Sequence, residues 1–226
     1  MRKLLLGLGM TFLSGSMMAQ NLVGREAEKF HPSAQFVRFD DRSPAPLFVS
    51  FRDNSYVPVS ATASIMKEVL QQSGNDSWQL IRTDHDELGM QHHRYQQYYK
   101  GIPVQTGEYI VHEKQGVIKS MNGIFYKSLP AATNPVIGET EALDRALEDI
   151  GASVYLWETP DAEQIALVGH SHGKDRPKGE LVILPSLGFE KGQTTALCWK
   201  FDIYAHEPHQ RYNIYINAEN GKVMFK

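Results

Sequence analysis

Twice along this 226-residue chain an apolar helical stripe stops at a glycine and gives way to strand signals joined by turns. That order constrains the fold more than any other feature. An apolar stripe must be buried, and the strands that follow it are what can cover it. In the first instance Ser60 or Thr62 can cap a helix, Ile65, Met66, Val69 and Leu70 form its stripe, and Gly74 supplies the stop. Strand candidates follow at Trp78–Arg82, Met90–Lys100, Glu108–Glu113 and Val117–Tyr126. A polar turn at Asp84–Gly89, a break at Gly101-Ile102-Pro103 and a turn around Lys114-Gln115-Gly116 separate them. In the second instance Thr140 can cap a helix with Ala142, Leu143, Ala146, Leu147 and Ile150 on one face, ended by Gly151. Strands are expected at Leu181–Leu184, Ala196–Ala205 and Arg211–Asn217, and Asn220-Gly221 reads as a two-residue hairpin turn into Lys222–Phe225. The strand–helix–strand alternation of a parallel sheet is missing. The expectation is an α+β chain of two tandem modules, each one helix on an antiparallel sheet, at residues 56–129 and 139–226 with a linker at 130–138. Residues 20–55, with Pro32, Pro44 and Pro46 and little periodicity, read as an irregular extension with one strand at Leu47–Phe51.

Residues 1–19 have the form of an export signal: Arg2 and Lys3, a short apolar run from Leu4 to Leu13, then small residues to Ala19. The run is too short to span a bilayer, and no later stretch is long enough. Export implies a secreted, extracellular or periplasmic location with no membrane association after cleavage. Losing Arg2 and Lys3 moves the formal charge from −3 to −5, a mild acidity that does not point to nucleic acid as a partner. Cys198 is the single cysteine, so no intrachain disulfide forms, and its apolar strand setting reads as a buried, inert thiol.

Nine histidines invite a metal reading, which the spacing does not support. A zinc-protease helix carries His-Glu-x-x-His, so that both imidazoles share one helical face. His112-Glu113 has no second histidine at position 116, and in His206-Glu207-Pro208-His209 the spacing is wrong and Pro208 breaks the helix. His92 and His93 are adjacent in a strand and point to opposite faces. Gly169-His170-Ser171-His172-Gly173 matches a nucleophile elbow in letters only. That turn needs a helix behind it, and Lys174-Asp175-Arg176-Pro177 cannot open one. Neither a catalytic residue nor a metal ligand is assigned, and the chain as it stands is expected not to be an enzyme.

The run Asp86-Glu-Leu-Gly-Met-Gln-His-His-Arg-Tyr-Gln-Gln-Tyr-Tyr-Lys-Gly-Ile-Pro-Val104 resembles the signature of the fungalysin/thermolysin propeptide motif. Its continuation, Val111-His112 and then Gly116-Val-Ile-Lys-Ser-Met-Asn-Gly123, has the order and spacing of the second half of that motif. The residues that carry the match are Gly89, His92, Arg94, Gln97, Gly101, Pro103, Val104, His112, Asn122 and Gly123. They read mainly as fold-specifying, with Gly101 and Pro103 shaping a bend and Asn122-Gly123 a turn. Residues 139–226 resemble a PepSY module through the Glu141–Ile150 helix, the strand around Trp199 and the Asn220-Gly221 turn. Asn217 stands where that module usually has aspartate.

The resemblance implies cystatin-like modules and the pro-region of a thermolysin-like (M4 family) zinc metallopeptidase. Such a segment acts as intramolecular chaperone and temporary inhibitor of a catalytic domain, its partner in cis or in trans. Zinc and calcium would belong to that domain, and no cofactor is expected in this chain. A stand-alone secreted inhibitor or binding protein built from the same modules is the alternative. A hydrolase using Ser171 is the third reading, and the loop context speaks against it.

Overall fold

The computed structural model of the protein describes residues 20–40, 44–127, 129, 132–160, 162, 174–186 and 195–226. Residues 1–19 and the Gly169–Gly173 stretch, with His170, Ser171 and His172, lie outside the described residues.

The first body begins with β1 (Asn21–Val23), a one-turn α1 (Arg25–Glu28), β2 (Ala34–Phe39) and β3 (Pro46–Phe51). After these come α2 (Thr62–Leu70), β4 (Asp76–His85), β5 (Gln91–Tyr99), β6 (Ile102–Lys114) and β7 (Val117–Gly123). The strands pair antiparallel in the order β1-β2-β3-β7-β6-β5-β4. Residues 20–55 are therefore not an irregular extension; they supply three strands of this sheet. Their weak patterning has a physical cause. The β2–β3 ladder slips register after Ala34 and again after Arg38, so Ala34 and Val37, three residues apart, both point inward. A slipped ladder erases the period-two signal.

Helix α2 buries Ile65, Met66, Val69 and Leu70 against Tyr109, Val111, Ile118 and Met121 of the sheet. Its ends differ from expectation. A 3-10 turn at Val59–Ala61 leads into it, and the Thr62 hydroxyl donates to the Val59 carbonyl instead of capping. Gln71, in the left-handed conformation, closes it three residues before Gly74. Between β5 and β6 the two-residue turn Lys100-Gly101 has positive φ at both positions, the geometry a tight hairpin needs.

The second body holds α3 (Glu139–Ile150), β8 (Val154–Tyr155), β9 (Glu180–Leu184), β10 (Ala196–Glu207), β11 (Gln210–Asn217) and β12 (Val223–Phe225). Gly138, not Thr140, precedes the first turn of α3, whose Glu139 and Glu141 favour the positive end of the helix dipole. Phe201, Ile203 and Ala205 of β10 and Ile214 and Ile216 of β11 pack on Ala142, Leu143 and Ala146 of α3. The opposite face holds a smaller cluster of Val182, Leu184, Cys198 and Tyr215. The expected two-residue turn at Asn220-Gly221 is instead a five-residue loop, 218–222. Asn217 builds it: its side-chain oxygen accepts the Glu219 and Asn220 amides at 2.8 and 3.2 Å. An asparagine oxygen does this as well as a carboxylate would, which accounts for Asn217 at that position.

The two bodies meet along one seam. Val104 near the start of β6 pairs parallel with Ile183 of β9. Around that bridge Val104, Leu129, Ile183, Leu197 and Ala218 form a third buried cluster with residues from both bodies. The Ala218 carbonyl accepts the amides of Val136 and Ile137, and the Trp199 indole donates to the Ile137 carbonyl at 3.0 Å. The bodies thus share a core, and that predicts a single unfolding event. Ile183→Ala should cost about 2–5 kcal/mol and lower the denaturant midpoint reported by Trp78 in the first body and by Trp157 and Trp199 in the second. Separate midpoints for the two sets of tryptophans would show that the seam does not couple them.

Candidate functional site

Strand alternation divides the motif residues between the two faces of the first sheet. In β6, Tyr109, Val111 and Glu113 point inward and are buried, while Glu108, Ile110 and His112 point outward and are partly exposed. The cross-strand register carries that division into β5, where His93, Tyr95 and Gln97 face the core and His92, Arg94 and Gln96 face out. Helix α2 covers the inner face, while the outward residues of β5 and β6 remain partly exposed.

The inward set is architectural, and Gln97 is its centre. Its side chain is fully buried and brackets the backbone of Tyr126: Nε2 donates to the Tyr126 carbonyl at 2.9 Å, and Oε1 accepts the Tyr126 amide at 3.0 Å. The second Nε2 proton goes to Asp76 Oδ1 at 3.2 Å. One amide thus pins the chain leaving β7 to β5, with both donors used. Gly107 makes room for it, since a Cβ there would lie 2.8 Å from Gln97 Oε1. The neighbouring Gln96 works from the other side, donating to the carbonyls of Val104 and Gly107 at 2.7 and 3.0 Å. Between them the two glutamines hold the irregular stretch of β6 at Val104–Gly107. Gly123 does not make the expected turn with Asn122. It is the last residue of β7, paired with Tyr109, where a Cβ would lie 2.6 Å from the Tyr109 Cα. Pro103 pairs within β6 opposite Tyr98, Val104 is buried in the seam, and Gly89, at φ +74°, closes the β4–β5 turn.

Ile110 apart, the outward set is polar and mutually bonded. Arg94 Nη1 donates to Glu108 Oε2 at 2.7 Å, and Arg82 to Asp84 at 2.8 Å. Beside them runs a relay of four side chains. Asp86 Oδ2 meets His92 Nε2 at 3.3 Å, His92 Nδ1 meets His112 Nδ1 at 2.6 Å, and His112 Nε2 meets Asn122 Oδ1 at 2.5 Å. Asp86 also accepts the Met90 and Leu88 amides, each at 2.9 Å. Those amide bonds, with help from His92, hold its carboxyl below the usual range. Burial pushes the His112 imidazole down, and the charge on a protonated His92 pushes the same way. The relay joins the β4–β5 turn, β5, β6 and β7 on one face.

Of the second-body residues, Trp199 lies at the seam, Asn220 and Gly221 sit in the Asn217-built loop, and none of the three approaches the relay. Gly221 packs against Arg145, whose Nε would lie 2.5 Å from an added Cβ. Burial pushes the Cys198 thiol up to about 12. The sequence reading did not pick out Asp86, Gln96, Gly107 or Glu108. Asp86 and Gln96 stand inside the motif string, so their positions were visible and their partners were not. No group of His, Cys, Asp and Glu among the described residues has the arrangement of a metal site.

Comparison with known proteins agrees with the motif. Residues 76–125 match the family model described as Fungalysin/Thermolysin Propeptide Motif. Bacillolysin of Bacillus amyloliquefaciens is 26% identical over 178 residues, which is 74% of this chain and 31% of Bacillolysin. This chain therefore spans less than a third of that relative's length. Among solved structures, the Bacillus megaterium YpeB C-terminal domain aligns over 94% of this chain and 89% of its own, at 13% identity and a TM-score of 0.37. Residues 76–125 thus carry a fungalysin/thermolysin propeptide motif.

The Gln97 bracket gives a sharp test. Gln97→Leu strands the Tyr126 amide and carbonyl and should cost about 2–4 kcal/mol. Gln97→Glu should cost at least as much near neutrality, because a carboxylate faces the Tyr126 carbonyl. A protonated carboxyl restores one donor and one acceptor, so the folded state raises the pKa of the introduced acid. The Q97E deficit should then shrink as pH falls toward about 4. Urea midpoints against pH measure it, and a deficit independent of pH would contradict the bracket.

Proposed function

We propose that this chain is the pro-region of an exported thermolysin-like zinc metalloendopeptidase. In this reading it acts as intramolecular chaperone and temporary inhibitor of a catalytic domain. The observation that carries the reading is the propeptide motif at residues 76–125, whose outward residues Arg94, Glu108, His112 and Asn122 line a partly exposed sheet face. The similarity to Bacillolysin, a much longer protein, fits a chain that works with a larger partner.

A chaperone of this kind needs a rigid, pre-folded surface. The shared seam and the two glutamine contacts supply stiffness, and the outer face supplies polar groups already aimed. Its ionised side chains are paired with each other, so a partner meets them with little further ordering cost. A β-rich protease folds slowly when its pairings are non-local, and a surface that favours part of its native form lowers that barrier. Covalent linkage raises the local concentration enough for modest contacts to suffice. Zinc and calcium belong, in this reading, to the catalytic domain. Residues 1–19 direct export, and PepSY-type residues 139–226 brace the motif-bearing body.

The test uses the chain from Gln20 onward, which contains every described element. Added to a cognate thermolysin-like catalytic domain, it should inhibit at roughly micromolar concentration or below and raise the yield of refolded protease. Arg94→Glu, on the outer face, should weaken inhibition at least about tenfold with an unchanged fold, and Glu148→Ala on the exposed side of α3 should not. Normal inhibition by Arg94→Glu would move the docking surface elsewhere. Absence of both inhibition and refolding assistance would remove the pro-region role.

A further inference from the structure

We infer that the Asp86–His92–His112–Asn122 relay is a one-proton lock, which holds the outer face in order near neutral pH and releases it when a second proton arrives. Only the last step, from release to loss of protease docking, rests on the function proposed above.

The lock follows from counting donors and acceptors. With no proton beyond the neutral rings, His92 Nε2–H donates to Asp86 and His112 Nδ1–H donates to the bare His92 Nδ1. The Asn122 amide then turns its nitrogen toward His112 Nε2. With one added proton, His92 donates from both nitrogens, to Asp86 and to His112, and His112 Nε2–H donates to Asn122 Oδ1. Every contact in the relay is satisfied in either state. With two added protons both Nδ1 atoms carry hydrogen, and two N–H groups on two cations confront each other across 2.6 Å. No tautomer and no amide flip repairs that arrangement. The rings must part, and with them the side-chain tie from β5 to β6 and β7.

The surroundings do not relieve the conflict. On β4, Asp84 lies opposite His92 in register, but it is engaged by Arg82 at 2.8 Å. On β5, Arg94 is on the same face and adds positive charge, balanced by Glu108 of β6 at 2.7 Å. In the turn, Asp86 is the relay's own carboxylate, flanked in sequence by His85 and Glu87. On β7, Ser120 opposite His112 is uncharged, Asn122 is the relay's end, and Lys119 sits one position from Ser120. On β3, the register partners of Asn122 and Ser120 are Phe48 and Ser50, both uncharged. One carboxylate is therefore in contact with the ring pair, enough for one imidazolium and not for two. The lowered proton affinity of His112 has the same direction.

The sign of the pH effect follows. A histidine whose folded pKa lies below its unfolded value of about 6.5 binds its proton more readily in the unfolded chain. Stability is whole above that value. It is lost as pH falls from there through the lower folded pKa of His112.

The measurement is the urea midpoint of the chain from Gln20 onward between about pH 7.5 and about pH 5, for wild type, His112→Gln and His92→Gln. A glutamine amide can present either an acceptor or a donor to the remaining ring, so each variant tolerates the remaining imidazolium. The wild-type midpoint should fall more steeply with acid than that of either variant; equal slopes in all three overturn the lock. Should a variant fail to fold, imidazole NMR of the wild type decides. The ring-to-ring contact of His92 and His112 should vanish as the second proton binds, and contact persisting with both rings charged overturns the lock. Inhibition of a thermolysin-like catalytic domain should weaken roughly tenfold over the same range for wild type and less for His112→Gln. If the midpoints behave as stated and inhibition shows no such difference, the lock stands and the outer face is not the docking surface.

Discussion

The buried side chain of Gln97 is the constraint on which the rest of the first body depends. It satisfies both backbone groups of Tyr126 and so fixes where the chain goes after β7. An amide that buries both of its polar atoms is stable only when each has a partner, and here Gly107 supplies the space that lets those partners meet. Because Gln96 ties down the same irregular part of β6 from the other face, Val104 is held where it can pair with Ile183 of the second body. Local irregularity in one strand becomes the junction between two bodies.

From that junction the division of faces follows. Strand β6 runs from the seam at Val104 to the middle of the first sheet, and its alternation sends Tyr109 and Val111 into the core and Glu108 and His112 outward. The inner face is held by hydrophobic burial. It is reinforced by the Tyr109 hydroxyl, which donates to the Pro46 carbonyl at 2.9 Å and whose ionisation is suppressed by burial. The outer face is held by ion pairs and the histidine relay, which respond to pH and to partners where an apolar core does not. The proposed pro-region role, binding and later releasing a catalytic domain, would call for interactions of the second kind.

Much of this was legible in the sequence. The stripe of Ile65, Met66, Val69 and Leu70 and that of Ala142, Leu143 and Ala146 gave the helices, and alternation around Trp199–Ile203 gave β10 with its correct faces. Residues 20–55 were not legible, because two slips in the β2–β3 ladder destroyed the periodicity that marks a strand. The Asn220-Gly221 dipeptide predicts too short a turn, because Asn217, outside it, sets the length of the loop. In the candidate site, strand alternation alone puts His92 and His93 on opposite faces, yet it does not reveal the contact of His92 with His112. Those residues are twenty apart, and their meeting depends on a β5–β6 register that itself shifts between Gln96 and Tyr98. Sequence gives the face of a strand residue readily; it gives its cross-strand neighbour only when the ladder is regular.

In the proposed role the outer face of the first sheet meets the catalytic domain. Side-chain footprinting of the complex with a thermolysin-like catalytic domain tests it most directly, using histidine- and arginine-directed labelling of free and bound chain. The account predicts that His92, Arg94 and His112 become protected on binding while Arg145 of α3 and Arg211 of β11 keep their free-state reactivity. Unchanged reactivity at His92, Arg94 and His112, with protection confined to the second body, would contradict it.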